Sequence, residues 1–193
     1  MALRIETGLT APSGFIEDVF AIDKDTYSPE LCGKIENLYK RYDVCPDSFI
    51  LVYDGDTLAG YLNVFPISDG LYRQLNAPDF FGMRDDDIEP EEMDAWRKDK
   101  PNELFIISVA IIPRYRKGEA IKLIGNGFLD FLRKKDAEGY KIGSIAGSAI
   151  SAGGEKFLQR FGGKFIKKLE DGYKYYLADG ESVGGVIENG LIL

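Results

Sequence analysis

The chain of 193 residues contains no histidine. That excludes an imidazole general base, a Ser-His-Asp triad and a histidine metal site together. Cysteine is almost as scarce. Cys32 and Cys45 fit no metal-ligand spacing, so no metal is expected, and they read as free thiols of a reducing cytoplasm. Long apolar runs are missing too: Phe105–Ile112 is the longest clean one and is far too short to span a bilayer, so no membrane is expected. The first residues, Met-Ala-Leu-Arg-Ile-Glu-Thr, lack the apolar segment of a secretory signal. Basic charge is in the minority, with 24 Lys and Arg against 32 Asp and Glu, a net charge of −8 and a pI near 4.7. Such a surface argues against nucleic acid as a partner and favours a cationic acceptor such as an amine. What remains is ordinary: 45% hydrophobic and 29% charged residues, with a mean hydropathy of −0.18. Length and composition predict one soluble globular domain.

Against this acidic background one basic stretch stands out. Leu104–Ile112 is almost wholly apolar and β-branched, the pattern of a central strand covered on both faces. Pro113 stops it. Arg114, Arg116, Lys117, Gly118, Glu119 and Ala120 form a turn, and apolar residues at 121, 124, 128, 131 and 132 then recur with a helical period. The turn therefore sets backbone N–H groups at a helix N-terminus beside two arginines and a lysine. That arrangement suits a phosphate or diphosphate, and Gly118, without a Cβ, allows close approach.

Elsewhere the patterns are conventional. Leu3–Glu6 reads as a short strand. Ser13 caps a helix to about Lys24, and Ser28-Pro29-Glu30 starts a second carrying Leu31, Ile35, Leu38 and Tyr42. Phe49–Tyr53 and Leu58–Phe65 form a hairpin across Asp54-Gly55. Residues 67–101 then interrupt the regular order with a dense acidic run, Asp85, Asp86, Asp87, Glu89, Glu91, Glu92 and Asp94, and with Phe80, Phe81 and Trp96. A helix from about Pro90 is expected there. The insertion reads either as a solvated helix or as a lid whose carboxylates and aromatic faces select an amine. Tyr140–Gly147 is a strand, Glu155–Phe161 a short helix ended by Gly162-Gly163, and Lys164–Leu169 with Tyr173–Leu177 a final hairpin. Residues 180–193 are glycine-rich, without clear pattern, and read as a tail after a domain spanning 1–179.

Val109, Ile111, Pro113, Tyr115, Arg116, Gly118 and Ala120 resemble the central motif of the GNAT superfamily of acetyl-CoA-dependent N-acyltransferases. The order of elements from about Leu3 to Ala178 resembles that family as well. The resemblance implies an α/β (α+β) fold: a mixed, mostly antiparallel central sheet flanked by helices, here with a helical insertion before the cofactor strand. It implies that the main chain of Val109 and Ile111 holds the pantetheine arm and that the turn Arg114–Ala120 holds the diphosphate of acetyl-CoA. Glu103, which opens the same strand, becomes the nominee for general base, alongside the reading of a strand-end surface residue and with the Asp and Glu of the insertion as rivals. Ser151 occupies the slot of a family asparagine and would bond the pantetheine or the sulfur, or else simply cap a helix. Leu158 stands where the family carries a tyrosine that protonates the leaving thiolate, and the turn is one residue shorter than usual. The function implied is an acetyl-CoA-dependent N-acetyltransferase, monomeric or homodimeric, acting on a primary amine of a small molecule or peptide. The two departures leave open an acyl-CoA-binding regulatory or sensor module with little catalysis.

Overall fold

Among the described residues seven strands lie in the order β1-β2-β3-β4-β5-β7-β6. They are β1 (Leu3–Thr7), β2 (Phe49–Asp54), β3 (Thr57–Pro66), β4 (Asn102–Ile111), β5 (Ile142–Ala149), β6 (Lys164–Lys168) and β7 (Lys174–Asp179). The sheet is mostly antiparallel, with β4 and β5 parallel. Among the described residues six helices accompany the sheet: α1 (Phe15–Thr26), α2 (Ile35–Val44), α3 (Asp69–Asn76), α4 (Ala120–Ala137), α5 (Ala152–Arg160) and α6 (Gly180–Asn189). The structure is a computed structural model and describes residues 3–29, 31–84, 88–116 and 118–192. No helix among these is long and apolar enough to cross a membrane.

The chain divides into two compact units. The first comprises Met1–Val64, Asp85–Pro90 and Ser108–Phe128. Its core forms where α1 and α2 set Phe15, Ile16, Val19, Ile22 and Leu38 against Phe49, Leu51, Tyr53, Leu58 and Tyr61 of the β2–β3 hairpin. Phe15 meets Phe49 and Tyr42 edge-on at 5.5 and 5.3 Å, the geometry that aromatic quadrupoles favour. The second comprises Phe65–Arg84, Glu91–Ile107 and Leu129–Leu193, and is built on the β5–β7–β6 ribbon with α5 and α6 against β5 and β7.

Four sequence expectations change. Gly14, at φ 87°, rather than Ser13, precedes α1, and no side chain caps it. The second helix begins at Ile35: Leu31 and Cys32 each donate to Ser28 O, and that turn is not continued into the helix. In the insertion, Pro90–Glu92 makes a single 3-10 turn. Met93 then pairs with Ile67, and Asp94 N donates to Pro66 O at 2.9 Å, so extended pairing displaces the expected helix. The insertion's helix lies upstream as α3, capped by Ser68 Oγ accepting from Leu71 N at 3.2 Å, with Leu71 and Leu75 buried one turn apart. Finally, residues 180–189 form α6. Asp179 caps it by accepting from Ser182 N at 2.8 Å, and Val183 and Val186 are buried. Glycines at 180, 184 and 185 conceal that helix in the sequence.

Candidate functional site

The basic turn is anchored to the strand it follows. Beyond β4, Pro113–Tyr115 makes a 3-10 turn, and α4 starts at Ala120, which is fully buried. Arg116 Nε donates to Ile111 O at 2.9 Å, leaving the Nη groups of an exposed side chain for a ligand. Arg114 lies over the Tyr115 ring at 4.8 Å, and Tyr115 in turn bonds Asp54 Oδ2 at 2.9 Å, which raises the phenol pKa. Gly118 N is taken up by Tyr115 O at 3.2 Å, and a Cβ on Gly118 would meet little besides that oxygen, at 3.6 Å. The glycine is therefore not demanded by the turn itself. Glu119 places a carboxylate here, and Lys122 Nζ reaches it at 3.4 Å. Lys117 lies outside the described residues. The first amides of α4 have no partners within the helix and face an anion naturally.

The strand that leads to this turn is half-open. The β4–β5 ladder covers Asn102–Ile106 and Ile142–Gly147, while β4 runs on to Ile111. Ile107, Ser108 and Val109 are accordingly half-buried, in a strand otherwise largely covered. Ile67 N donates to Glu103 O and Ile112 N to Ala59 O, an offset of one residue in the β3–β4 register. β4 thus carries an extra residue, and such a bulge turns the following main-chain groups to new directions. Gly60 permits the close approach of β4: a Cβ there would sit 2.8 Å from Ala110 O and 2.9 Å from Ile111 Cγ1.

The nominated catalytic residues, Glu103 and Ser151, have partners of their own. Glu103 stands at the start of β4, six residues before Val109 in the chain. Its carboxylate accepts from Ser144 Oγ. Ser151 caps α5, accepting from Gly154 N at 3.1 Å, with extended backbone. Leu158, 6% exposed, packs where the β4–β5 ladder ends: a Cβ on Gly147 would meet its Cδ2 at 3.0 Å and Ile106 O at 3.3 Å. No proton donor stands at that slot. On the same helix, Glu155 accepts from Tyr176 Oη at 2.6 Å and from Lys174 Nζ at 2.8 Å; the carboxylate bond pushes the Tyr176 phenol up to about 12.

A polar cluster beside β4 escaped sequence reasoning. Asp23 on α1 is 7% exposed, and Tyr61 on β3 is fully buried. Tyr61 Oη donates to Asp23 Oδ1 and lies 2.7 Å from Ser108 Oγ. Tyr27 Oη lies 2.8 Å from the same Oγ and 3.4 Å from Val109 O. Burial and the Asp23 charge hold the Tyr61 phenol well above its ordinary pKa. The sequence offers one faint signal: Asp23 lies in the last turn of α1 and Tyr27 directly follows that helix. Nothing there links them to residues 61 and 108.

The insertion's charges and rings are largely occupied. Glu89 pairs with Lys40 at 3.0 Å, Glu92 with Arg84 at 2.6 Å and Asp94 with Lys100 at 3.2 Å. Phe80 and Phe81 face Lys167 at 5.7 and 5.8 Å, and Trp96 faces Lys135 at 4.6 Å. The aromatic faces expected to hold an amine hold lysines of the chain itself. Asp85, Asp86 and Asp87 lie outside the described residues.

Sheet order, the parallel β4–β5 pair and the helix after β4 together make this the GNAT fold. Among solved structures, the chain resembles the loading GNATL domain of CurA from Lyngbya majuscula, with a TM-score of 0.65 at 13% identity over 94% of this chain and 99% of that one. It also resembles the GphF GNAT-like decarboxylase in complex with isobutyryl-CoA (0.64, 12%, covering 92% and 99%). A third is the ribosomal-protein-S18-alanine N-acetyltransferase of Escherichia coli (0.56, 8%, covering 92% and 94%). No family model and no curated protein matches the sequence.

Proposed function

We propose that this chain binds acetyl-CoA and transfers the acetyl group to a primary amine of a small molecule or peptide by direct attack on the thioester. The observation that carries the reading is the half-open β4 running straight into an arginine-bearing turn at the N-terminus of α4. The main chain of Val109 and Ile111 would hold the pantetheine, as an added strand is held. Arg114, Arg116, Lys117 and the amides of Glu119 and Ala120 would hold the diphosphate, with Gly118, which has no Cβ, allowing its close approach. The nucleoside and pantetheine would fix the thioester, and proximity then lowers the barrier for an amine brought alongside. A thiol with an ordinary pKa near 8.5 can leave as thiolate, so Leu158 slows the reaction without forbidding it. The acceptor would be chosen by the insertion at 67–101, whose carboxylates draw cations into its neighbourhood. A reducing cytoplasm, where CoA thioesters are made, fits the reading.

The test is calorimetry with CoA, acetyl-CoA and isobutyryl-CoA, followed by thiol release with a panel of amines and lysine peptides. One-to-one binding that weakens with salt, together with amine-dependent thiol release, is expected. A second reading is favoured by Leu158, which supplies no proton at its slot: an acyl-CoA-binding module with little turnover. Tight binding without thiol release would select it. Absence of binding would end both.

A further inference from the structure

We propose that the hydroxyl chain Tyr27–Ser108–Tyr61, ending on the buried Asp23 carboxylate, carries away the proton that the acyl acceptor loses on attacking the thioester. The proposal rests on the acyl-CoA reading and names the proton path of that same site.

Direction in such a chain is set by its end. An ionised Asp23 can only accept, so the single Tyr61 proton points to it. Tyr61 oxygen then accepts from Ser108 Oγ at 2.7 Å, and Ser108 oxygen accepts from Tyr27 Oη at 2.8 Å. The Tyr27 proton has a second acceptor in Val109 O at 3.4 Å. The inner end is buried, with Tyr61 fully enclosed and Asp23 7% exposed, while Tyr27 and Ser108 are half-buried. The outer end meets the strand that would carry the acyl arm: Ser108 and Val109 are consecutive on β4, and Tyr27 Oη lies 3.4 Å from Val109 O.

The step balances. The amine nitrogen bonds to the thioester carbonyl carbon, the C–S bond breaks, and the thiolate leaves with its electron pair. One proton passes from the new ammonium to Tyr27 oxygen. The Tyr27 proton passes to Ser108, that of Ser108 to Tyr61, and that of Tyr61 to Asp23. Asp23 ends neutral and later returns its proton to water, and the thiolate is protonated from solvent. Water as acceptor would use the same path. Tyr27 touches the acceptor; Ser108, Tyr61 and Asp23 act through it.

The experiment uses the whole chain with acetyl-CoA. Thiol release is followed with the amine panel and, without amine, with water as nucleophile. Tyr61→Phe keeps the ring and removes the hydroxyl. Ser108→Ala breaks the chain, and Ser108→Thr restores its hydroxyl. Thermal unfolding of each variant checks the fold, and Tyr61→Phe and Ser108→Ala carry the test if Asp23→Asn does not fold. General-base contributions run to roughly 10²–10⁴-fold. The expected result is a kcat at least about 100-fold lower in Tyr61→Phe and Ser108→Ala, with KM for acetyl-CoA within twofold of wild type and kcat recovered in Ser108→Thr. Binding of CoA by wild type with no thiol release to any amine or to water overturns the relay and leaves the binding reading standing. Turnover in Tyr61→Phe and Ser108→Ala within twofold of wild type also overturns it, as does a fall in kcat matched by a rise in KM and a lowered Tm. Failure of wild type to bind CoA overturns the acyl-CoA reading itself, and the relay with it.

Discussion

Replacing Arg116 by alanine separates a diphosphate site from an ordinary basic turn. The side chain is engaged twice over in the proposed complex. Nε holds Ile111 O at 2.9 Å in the protein alone, and the exposed Nη groups would meet the diphosphate. A hydrogen bond to a charged partner is worth roughly 1.5–3 kcal/mol. Loss of one such phosphate contact therefore predicts a Kd for CoA raised about 10- to 150-fold, at 1.4 kcal/mol per decade. The bond to Ile111 O belongs to an exposed residue, so its loss should cost the fold only about 0.5–1.5 kcal/mol. Arg116→Lys keeps the charge but not the fork. It cannot hold the carbonyl and the phosphate together, and should lie between wild type and Arg116→Ala. The decisive comparison uses acetyl-pantetheine, which has no diphosphate. Calorimetry should find its affinity unchanged in Arg116→Ala, while the affinity for CoA falls and loses part of its salt dependence. Unchanged CoA affinity in a folded Arg116→Ala protein would falsify the assignment of the turn. An equal loss for acetyl-pantetheine would show that the substitution had disturbed β4 instead.

Three further outcomes are expected. Gly60→Ala places a Cβ 2.8 Å from Ala110 O, so urea unfolding should reveal a loss of about 1–3 kcal/mol, and CoA affinity should fall as β4 is displaced. Ser151→Ala removes the cap of α5 and should cost about 0.5–2 kcal/mol by the same measurement while leaving kcat unaltered if the serine only caps; a large fall in kcat would place Ser151 in the reaction. The Asp179 carboxyl is held at about 2, below its ordinary 3.8, chiefly by its bond to Ser182 N at the start of α6. Its stabilising effect is complete above pH 3.8 and is lost as pH falls through about 2, so amide exchange in α6 should accelerate over that window, and Asp179→Asn should abolish the dependence.

The sequence carries the fold well where neighbours in the chain are neighbours in space. β4, its proline stop and α4 lie within some thirty-five residues, and their periods switch from buried strand to amphipathic helix at the right place. α6 was concealed because its information is split between a cap at Asp179 and two buried valines, with glycines that oppose helix formation between them. The expected helix at Pro90 failed for another reason: Met93 finds a strand partner in Ile67, and no local pattern announces a partner so far upstream. The candidate site divides the same way. The phosphate turn is contiguous and legible. The hydroxyl cluster gathers residues 23, 27, 61 and 108 from two strands and the end of a helix, and a tyrosine or serine in those places looks like any other until the fold joins them.

Lys135 has a chemical fate of its own. Its ammonium lies among the rings of Trp96, Phe131 and Tyr140 at 4.6, 5.6 and 5.3 Å, and its side chain is 9% exposed. Thioesters acylate accessible amines without assistance, and a protein that keeps one bound bathes its own lysines in the reagent. Lys122, Lys134 and Lys164, with side chains 65%, 69% and 69% exposed, offer nucleophiles to that slow reaction. Ageing with acetyl-CoA should therefore mark the molecule unevenly: adducts accumulate on the outer lysines, and the one enclosed by rings keeps its charge as the rest of the surface grows more acidic.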